Sequence, residues 1–362
     1  MDRQRRDADA AHRWKPRPAH RRGFLLMVAC CVFGVLVAAC APSDSDQASK
    51  ASDQPAQPGA SASVPIKLAR AGTGRKMVVT IAVGDGEPVK VLLDTGSSGL
   101  VLKDSAFGKD QRPTGEKTKV TYGGFSLAGD IVKAPVRFTS ATSDLATEPM
   151  KVASFHGDPT KTMASTGTVG ILGIAAGTAA STTPKLLSPL VHLPEPYSTG
   201  FTIRGIREDL SSGKLSVGKV QETSDSVAVP MLKAGFTYPN GSPGYKKLIR
   251  LCWTVGDAKS CAKTSPDTGG TSGTVSSTLM PNAPRTGTSI TKGTPITIGS
   301  DSKVLCRFEA GANRSTQPAP RLNDHPNMNT GIRFFFANTV GFDLKRGQVV
   351  ITPDAAASRS HC

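Results

Sequence analysis

The run Val91-Leu92-Leu93 drives straight into Asp94-Thr95-Gly96-Ser97-Ser98, and the chain leaves through Gly99-Leu100-Val101-Leu102. Apolar residues on both sides plant a carboxylate at the end of a buried strand, and a buried charge is costly unless something holds it. Gly96 allows a sharp backbone turn, and Ser97 and Ser98 set hydroxyls beside the acid. A second Asp-Thr-Gly stands 173 positions on, at Asp267-Thr268-Gly269. What the chain can be turns on whether the two carboxylates meet.

The surroundings of both loops read as strands. Residues 75–83 form a strand pattern, Gly84-Asp85-Gly86 a turn, and residues 88–93 the returning strand that delivers Asp94. Val120-Thr121-Tyr122-Gly123-Gly124, then Phe125 and the apolar run 131–138, reads as a hairpin with a glycine tip. Gly170-Ile171-Leu172-Gly173-Ile174 suits a buried strand whose glycines permit close backbone approach. Across residues 175–193 the periodicity turns helical, with Leu186, Leu187, Leu190 and Val191 near one face, until Pro194-Glu195-Pro196 breaks it. Phe201-Thr202-Ile203, residues 213–218 and residues 248–255 continue the strand pattern, and the turn Gly256-Asp257 leads towards Asp267. The 362 residues suffice for one large domain or two lobes. Abundant glycine and proline with only 5% aromatics favour a mainly all-β fold with a few short helices.

Residues 91–101 resemble the first active-site loop of the pepsin-like aspartic proteases, in which each of two β-lobes contributes one Asp-Thr/Ser-Gly loop and the two aspartates activate a shared water. Tyr122-Gly123-Gly124 resembles that family's flap, and residues 170–174 its hydrophobic-hydrophobic-Gly segment. Residues 213–218 are similar to the hairpin that opens the second lobe, and residues 331–343 with 348–351 to the closing helix and strands. The resemblance covers most of the chain from residue 64 on. It implies a two-lobed β-barrel or sandwich with pseudo-twofold symmetry. The N-terminal lobe would span residues 64–197, with the first loop and flap, and the C-terminal lobe residues 198–362, with the second loop. It further implies an aspartic endopeptidase with Asp94 and Asp267 catalytic, supported by Thr95, Gly96, Ser97, Thr268, Gly269 and Thr271, and with Tyr122, Gly123 and Gly124 over the substrate. Such an enzyme takes a peptide or protein substrate, uses no metal or other cofactor, and works as a monomer. Two carboxylates about 3 Å apart cannot both ionise cheaply, so they share a proton, which implies an acidic to mildly acidic optimum and inhibition by statine-type peptides.

The second loop departs from the family pattern. Thr264-Ser265-Pro266 precedes Asp267 where apolar strand residues are usual, and proline removes a backbone donor. Gly270 stands where the family has a Ser or Thr bonded to the aspartate, leaving Thr271 as the nearest replacement. Val101 holds the place of a tryptophan, and Asn329-Thr330 precede Gly331 where two apolar residues are usual. An alternative function follows: an inactive lipoprotein of the same fold that binds extended peptides or envelope components. Geometry separates the two, since a dyad needs both carboxylates within hydrogen-bonding distance, whereas Pro266 could instead push Asp267 out of the cleft.

Eight Lys/Arg fall within the first 22 residues, followed by an uncharged apolar run over 23–39, as in a secretory signal. Its end, Leu36-Val37-Ala38-Ala39-Cys40, resembles a bacterial lipobox, which predicts a signal peptide over 1–39, lipidation of Cys40 and a low-complexity tether over 40–63. The chain is therefore expected to be exported and held by lipid at the cell membrane or outer membrane, facing the periplasm or exterior; cleavage after Ala41, at the small-x-small sequence Ala39-Cys40-Ala41, would instead release a secreted protein, and an uncleaved run would be a membrane anchor. Cys252, Cys261, Cys306 and Cys362 form an even set in a compartment where disulfides persist. Of the three connectivities, the local pair Cys252 with Cys261 is preferred, leaving Cys306 for Cys362. No C-x-x-C or histidine pair offers a metal site, and neither H-E-x-x-H nor G-x-S-x-G is present. From Cys40 onward the charge is still about +11, without the basic and aromatic interleaving of a nucleic-acid surface.

Overall fold

The computed structural model describes residues 61–354, apart from 73, 140, 179–184, 208–211 and 313–317. The expected signal, the tether up to residue 60, Cys40 and Cys362 lie outside the described residues.

The fold is all-β and two-lobed, with α-helices only at Lys161–Thr166 and Phe334–Ala337 among the described residues. One curled sheet has 14 strands and a second has nine. Alternation builds the strand Ser61–Ala71, where Ala62, Val64 and Ile66 are fully buried between exposed neighbours. The strand Val89–Asp94 is different, for Val91, Leu92 and Leu93 are all buried. It runs parallel to Gly170–Ile174 with both faces covered, which needs a continuous apolar run.

Ser98–Lys103 pairs antiparallel with the other edge of Gly170–Ile174, so the strand entering and the strand leaving Asp94 flank one central strand. Gly173 lies opposite both Asp94 and Gly99. A Cβ there would come within 2.8 Å of the Gly99 carbonyl oxygen and of the Ser97 and Ser98 carbonyl carbons, so only glycine fits beneath the loop.

The second half repeats this plan in the nine-stranded sheet. Ile249–Val255 and Ala258–Ser265 form a hairpin closed by the Cys252–Cys261 disulfide, and Ser265 delivers Pro266-Asp267. Ala258–Ser265 runs parallel to Met328–Asn329, which pairs antiparallel with Thr274–Ser276 beyond the loop.

Two details differ from the sequence reading. The helical pattern over 175–193 yields, among its described residues, only the 3-10 turn Pro189–His192, whose first amide donates to Ser188 Oγ. Leu190 and Val191 enter the main core while Leu186 packs under the Asp94 loop, so burial rather than helix produced that periodicity. The first strand begins at Ser61, inside the stretch read as tether. Gly200–Arg204, Ser212–Gly218 and the last two strands join the 14-stranded sheet, which runs on through Ser61–Ala71 into the first half. Cys306 is also disulfide-bonded.

Candidate active site

Asp94 ends its strand and Asp267 stands two residues beyond the end of its own, on two loops that clasp each other. Thr95 N donates to Thr268 Oγ1 at 3.0 Å, and Thr268 N donates to Thr95 Oγ1 at 2.9 Å. Each threonine hydroxyl then donates to the opposite loop, Thr95 Oγ1 to the Pro266 carbonyl and Thr268 Oγ1 to the Leu93 carbonyl, both at 2.8 Å. Both threonines are buried, and these reciprocal bonds satisfy their amides and hydroxyls.

This clasp brings the two carboxyls together. Asp94 and Asp267 are 8% and 9% exposed and line the same cleft. A Cβ on Gly96 would lie 2.4 Å from the Asp267 carboxyl, and one on Gly269 would lie 2.4 Å from that of Asp94. Both loop positions must therefore be glycine for the carboxyls to meet. Pro266 does not displace Asp267. The strand has already ended at Ser265, so the missing amide breaks no ladder, and the Pro266 carbonyl is part of the clasp.

The two acids are held differently. Asp94 accepts from Gly96 N at 2.7 Å and from Ser97 Oγ at 2.6 Å. Asp267 accepts on Oδ1 from Gly269 N at 2.7 Å and Gly270 N at 3.1 Å, and on Oδ2 from Asn329 Nδ2. Asn329 Oδ1 is engaged by Gly331 N at 2.8 Å, which turns its NH2 towards Asp267. Thr271, expected to replace the missing hydroxyl at position 270, does not reach the acid. Its methyl packs at Gly74, and the support comes from Asn329 instead. Burial, followed by the Asp267 charge, pushes the Asp94 carboxyl up to about 6, against the opposing bonds from Ser97 and Gly96.

The carboxyls lie in a cleft of about 940 Å3. Its roof is the hairpin of Arg112–Tyr122 and Phe125–Ala134, with Gly123-Gly124 at the tip and Tyr122 stacked on Phe125 at 5.0 Å. Burial, and then the Asp94 charge, raises the Tyr122 phenol above its ordinary value. Two lysines not anticipated from the sequence also reach in. Lys76 donates to the Gly269 carbonyl, and Lys247 donates to the Gly96 carbonyl at 2.5 Å. Burial lowers the pKa of Lys76, and the Asp267 and Asp94 charges oppose that shift. Nothing in the local sequence marks either lysine. Asn329 carried a signal, because Asn329-Thr330-Gly331 occupies in the second half the place that Ile171-Leu172-Gly173 holds in the first.

A family model described as the PE-PGRS C-terminal aspartyl peptidase-like domain matches residues 62–349. None of the curated proteins matches the chain.

Proposed function

We propose that this chain, which belongs to the PE-PGRS C-terminal aspartyl peptidase-like domain family, is an aspartic endopeptidase of pepsin-like mechanism anchored at the bacterial cell envelope. The observation that supports this reading is that the Asp94 and Asp267 carboxyls line one cleft, each with its own set of donors and each set against the glycine of the opposite loop.

In this reading the pair carries one proton, held on Asp94. Asp267, with three donors, is the carboxylate and takes a proton from a water placed between the two acids. Asp94 passes its proton to the scissile carbonyl oxygen as the water oxygen adds to the carbon, giving a gem-diol. As the gem-diol collapses, one hydroxyl returns its proton to Asp94, the C–N bond breaks, and the proton taken by Asp267 passes to the leaving amine. No bond to the protein forms at any step. Tyr122 and the glycine tip close over the peptide and exclude bulk water. Both loops come from one chain, so a monomer is complete.

The lobes 64–197 and 198–362 would each supply one loop, and the signal 1–39 and the tether from Cys40 would place the cleft outside the cytoplasm. Mass spectrometry of the mature N-terminus tests the anchor, with a lipidated Cys40 expected and an unmodified residue 42 excluding it. For the chemistry, an unbiased peptide library is digested across pH by the wild-type protein, Asp94→Asn and Asp267→Asn. Cleavage is expected from the wild type alone, blocked by a statine-type peptide. Undiminished cleavage by Asp94→Asn would refute the mechanism. Peptide binding without any cleavage by the wild type would make the protein a binding module.

A further inference from the structure

Lys76 and Lys247 form a reciprocal pair like that of Thr95 and Thr268. Lys76, on the strand Gly74–Val83 of the first half, reaches the carbonyl of Gly269 in the second loop. Lys247, just before the strand Ile249–Val255 of the second half, reaches the carbonyl of Gly96 in the first. The two ammonium groups thus stand at opposite loops around the carboxyl pair, both half-buried and both lining the cleft.

Neither lysine has a carboxylate within ion-pair distance among the described residues, and each ammonium offers three donors of which a loop carbonyl takes one. A half-buried cation with spare donors and a neutral partner is short of an acceptor. Among the described residues, the acidic side chains of the cleft are Asp94 and Asp267, while Arg321 adds a third cation at the exposed rim. With one proton on the acid pair, three cations face a single negative charge, and the lining is about +2.

Resting on the reading of this cleft as a peptide-hydrolysing site, we infer that Lys76 and Lys247 are specificity-determining residues. They select substrates carrying Asp or Glu on either side of the scissile bond. An acidic side chain supplies both the missing acceptor and the missing counter-charge, whereas a basic one meets like charge in a confined site.

The test uses the full-length protein and two octapeptides that differ only in bearing Glu or Gln at the two positions flanking the cleaved bond. The wild type should cleave the Glu peptide with a kcat/KM about tenfold to a hundredfold higher, the scale of a charge-assisted contact in a partly buried site. This preference should shrink with added salt and vanish below about pH 4, where the substrate carboxyls protonate. It should collapse in Lys76→Met/Lys247→Met, persist in Lys76→Arg, and turn towards a Lys-bearing peptide in Lys247→Glu. Binding of the same peptides to Asp94→Asn, followed by fluorescence anisotropy, gives the comparison without turnover and should show the same order. Equal handling of the Glu and Gln peptides by the wild type overturns the inference while leaving hydrolysis standing. So does a double variant whose rate–pH profile moves while its Glu preference stays, for the lysines then only tune the acids. Failure of the wild type to cleave any library peptide, with Glu-selective binding intact, removes the proposed hydrolysis and leaves the lysine selectivity supported.

Discussion

Asp94 and Asp267 share a loop sequence but not an environment, and the difference lies in single residues. Because the Asp94 carboxyl is pushed up to about 6 in the fold, it costs nothing below its unfolded value near 4 and progressively more as pH rises through 6. The expected penalty at pH 7 is on the order of 3 kcal/mol. Asp94→Asn should therefore be inactive yet more stable than the wild type at pH 7 by about that amount, with the gain gone at pH 4, as denaturant titrations at both pH values would show. The same displacement predicts that wild-type kcat/KM falls as pH rises past about 6, when the shared proton leaves. Asn329 is the second such residue. Removing a donor from a buried carboxylate costs about 1.5–3 kcal/mol, so Asn329→Ala should lower kcat by about tenfold to a hundredfold. A Cβ at Gly270 would stand 3.2 Å from Asp267 Oδ2 and 3.1 Å from Asn329 Oδ1. Gly270→Ser should consequently restore activity in the Asn329→Ala background, where that crowding is gone, and impair it in the wild type. A kcat unchanged by Asn329→Ala would show that Asp267 needs no third donor.

The elements that carry these residues were largely readable. The strands into and out of Asp94, the flap hairpin and the Ile249–Val255 hairpin follow from apolar runs broken by glycine or proline, which are local signals, whereas the closing helix and strands came from the family resemblance. The 175–193 stretch misled because Leu186, Leu190 and Val191 are buried by separate parts of the core, and spacing along the chain does not record which surface buries a residue. Asn329 left a local trace where apolar residues are usual, but its role, like those of Lys76 and Lys247, was illegible for the same reason. Each acts through a contact between segments 62 or more positions apart, and only the pairing of strands brings them to the acids. At this scale the flap gives a separate expectation. Tyr122 meets its neighbours through its ring against Phe125, and no hydrogen bond of its hydroxyl is seen among the described residues. Such ring pairs contribute about 0.5–1.5 kcal/mol, so Tyr122→Ala and Phe125→Ala should each raise KM by about threefold to tenfold, with Tyr122→Phe close to wild type. Steady-state kinetics on a single peptide separates these cases. A Tyr122→Phe defect as large as that of Tyr122→Ala would instead assign the hydroxyl a direct part.

At the scale of the whole molecule, the strand Ser61–Ala71 links the two halves. It pairs with Gly74–Val83 on one side and with Ser212–Gly218 on the other, and through the latter with the C-terminal strands. Its low-complexity neighbours concealed it, since Ser61-Ala62-Ser63 looks like more tether until Ala62 is seen buried opposite Val217. The carboxyls meet only if both loops are held in register, and this strand is part of the sheet that spans them. Its removal uncovers the burial sites of Val64 and Ile66 and opens two strand edges at once. Burial of those two side chains alone is worth about 3–6 kcal/mol, a large part of the stability of an ordinary domain. A fragment of residues 72–362 should therefore unfold at much lower urea than residues 61–362 and cleave no peptide. A point change such as Ile66→Ala should lose about 2–5 kcal/mol with the mechanism intact at low denaturant. Should residues 72–362 keep both the urea midpoint and the activity of residues 61–362, the two loops must be held by the threonine clasp and the remaining strands alone.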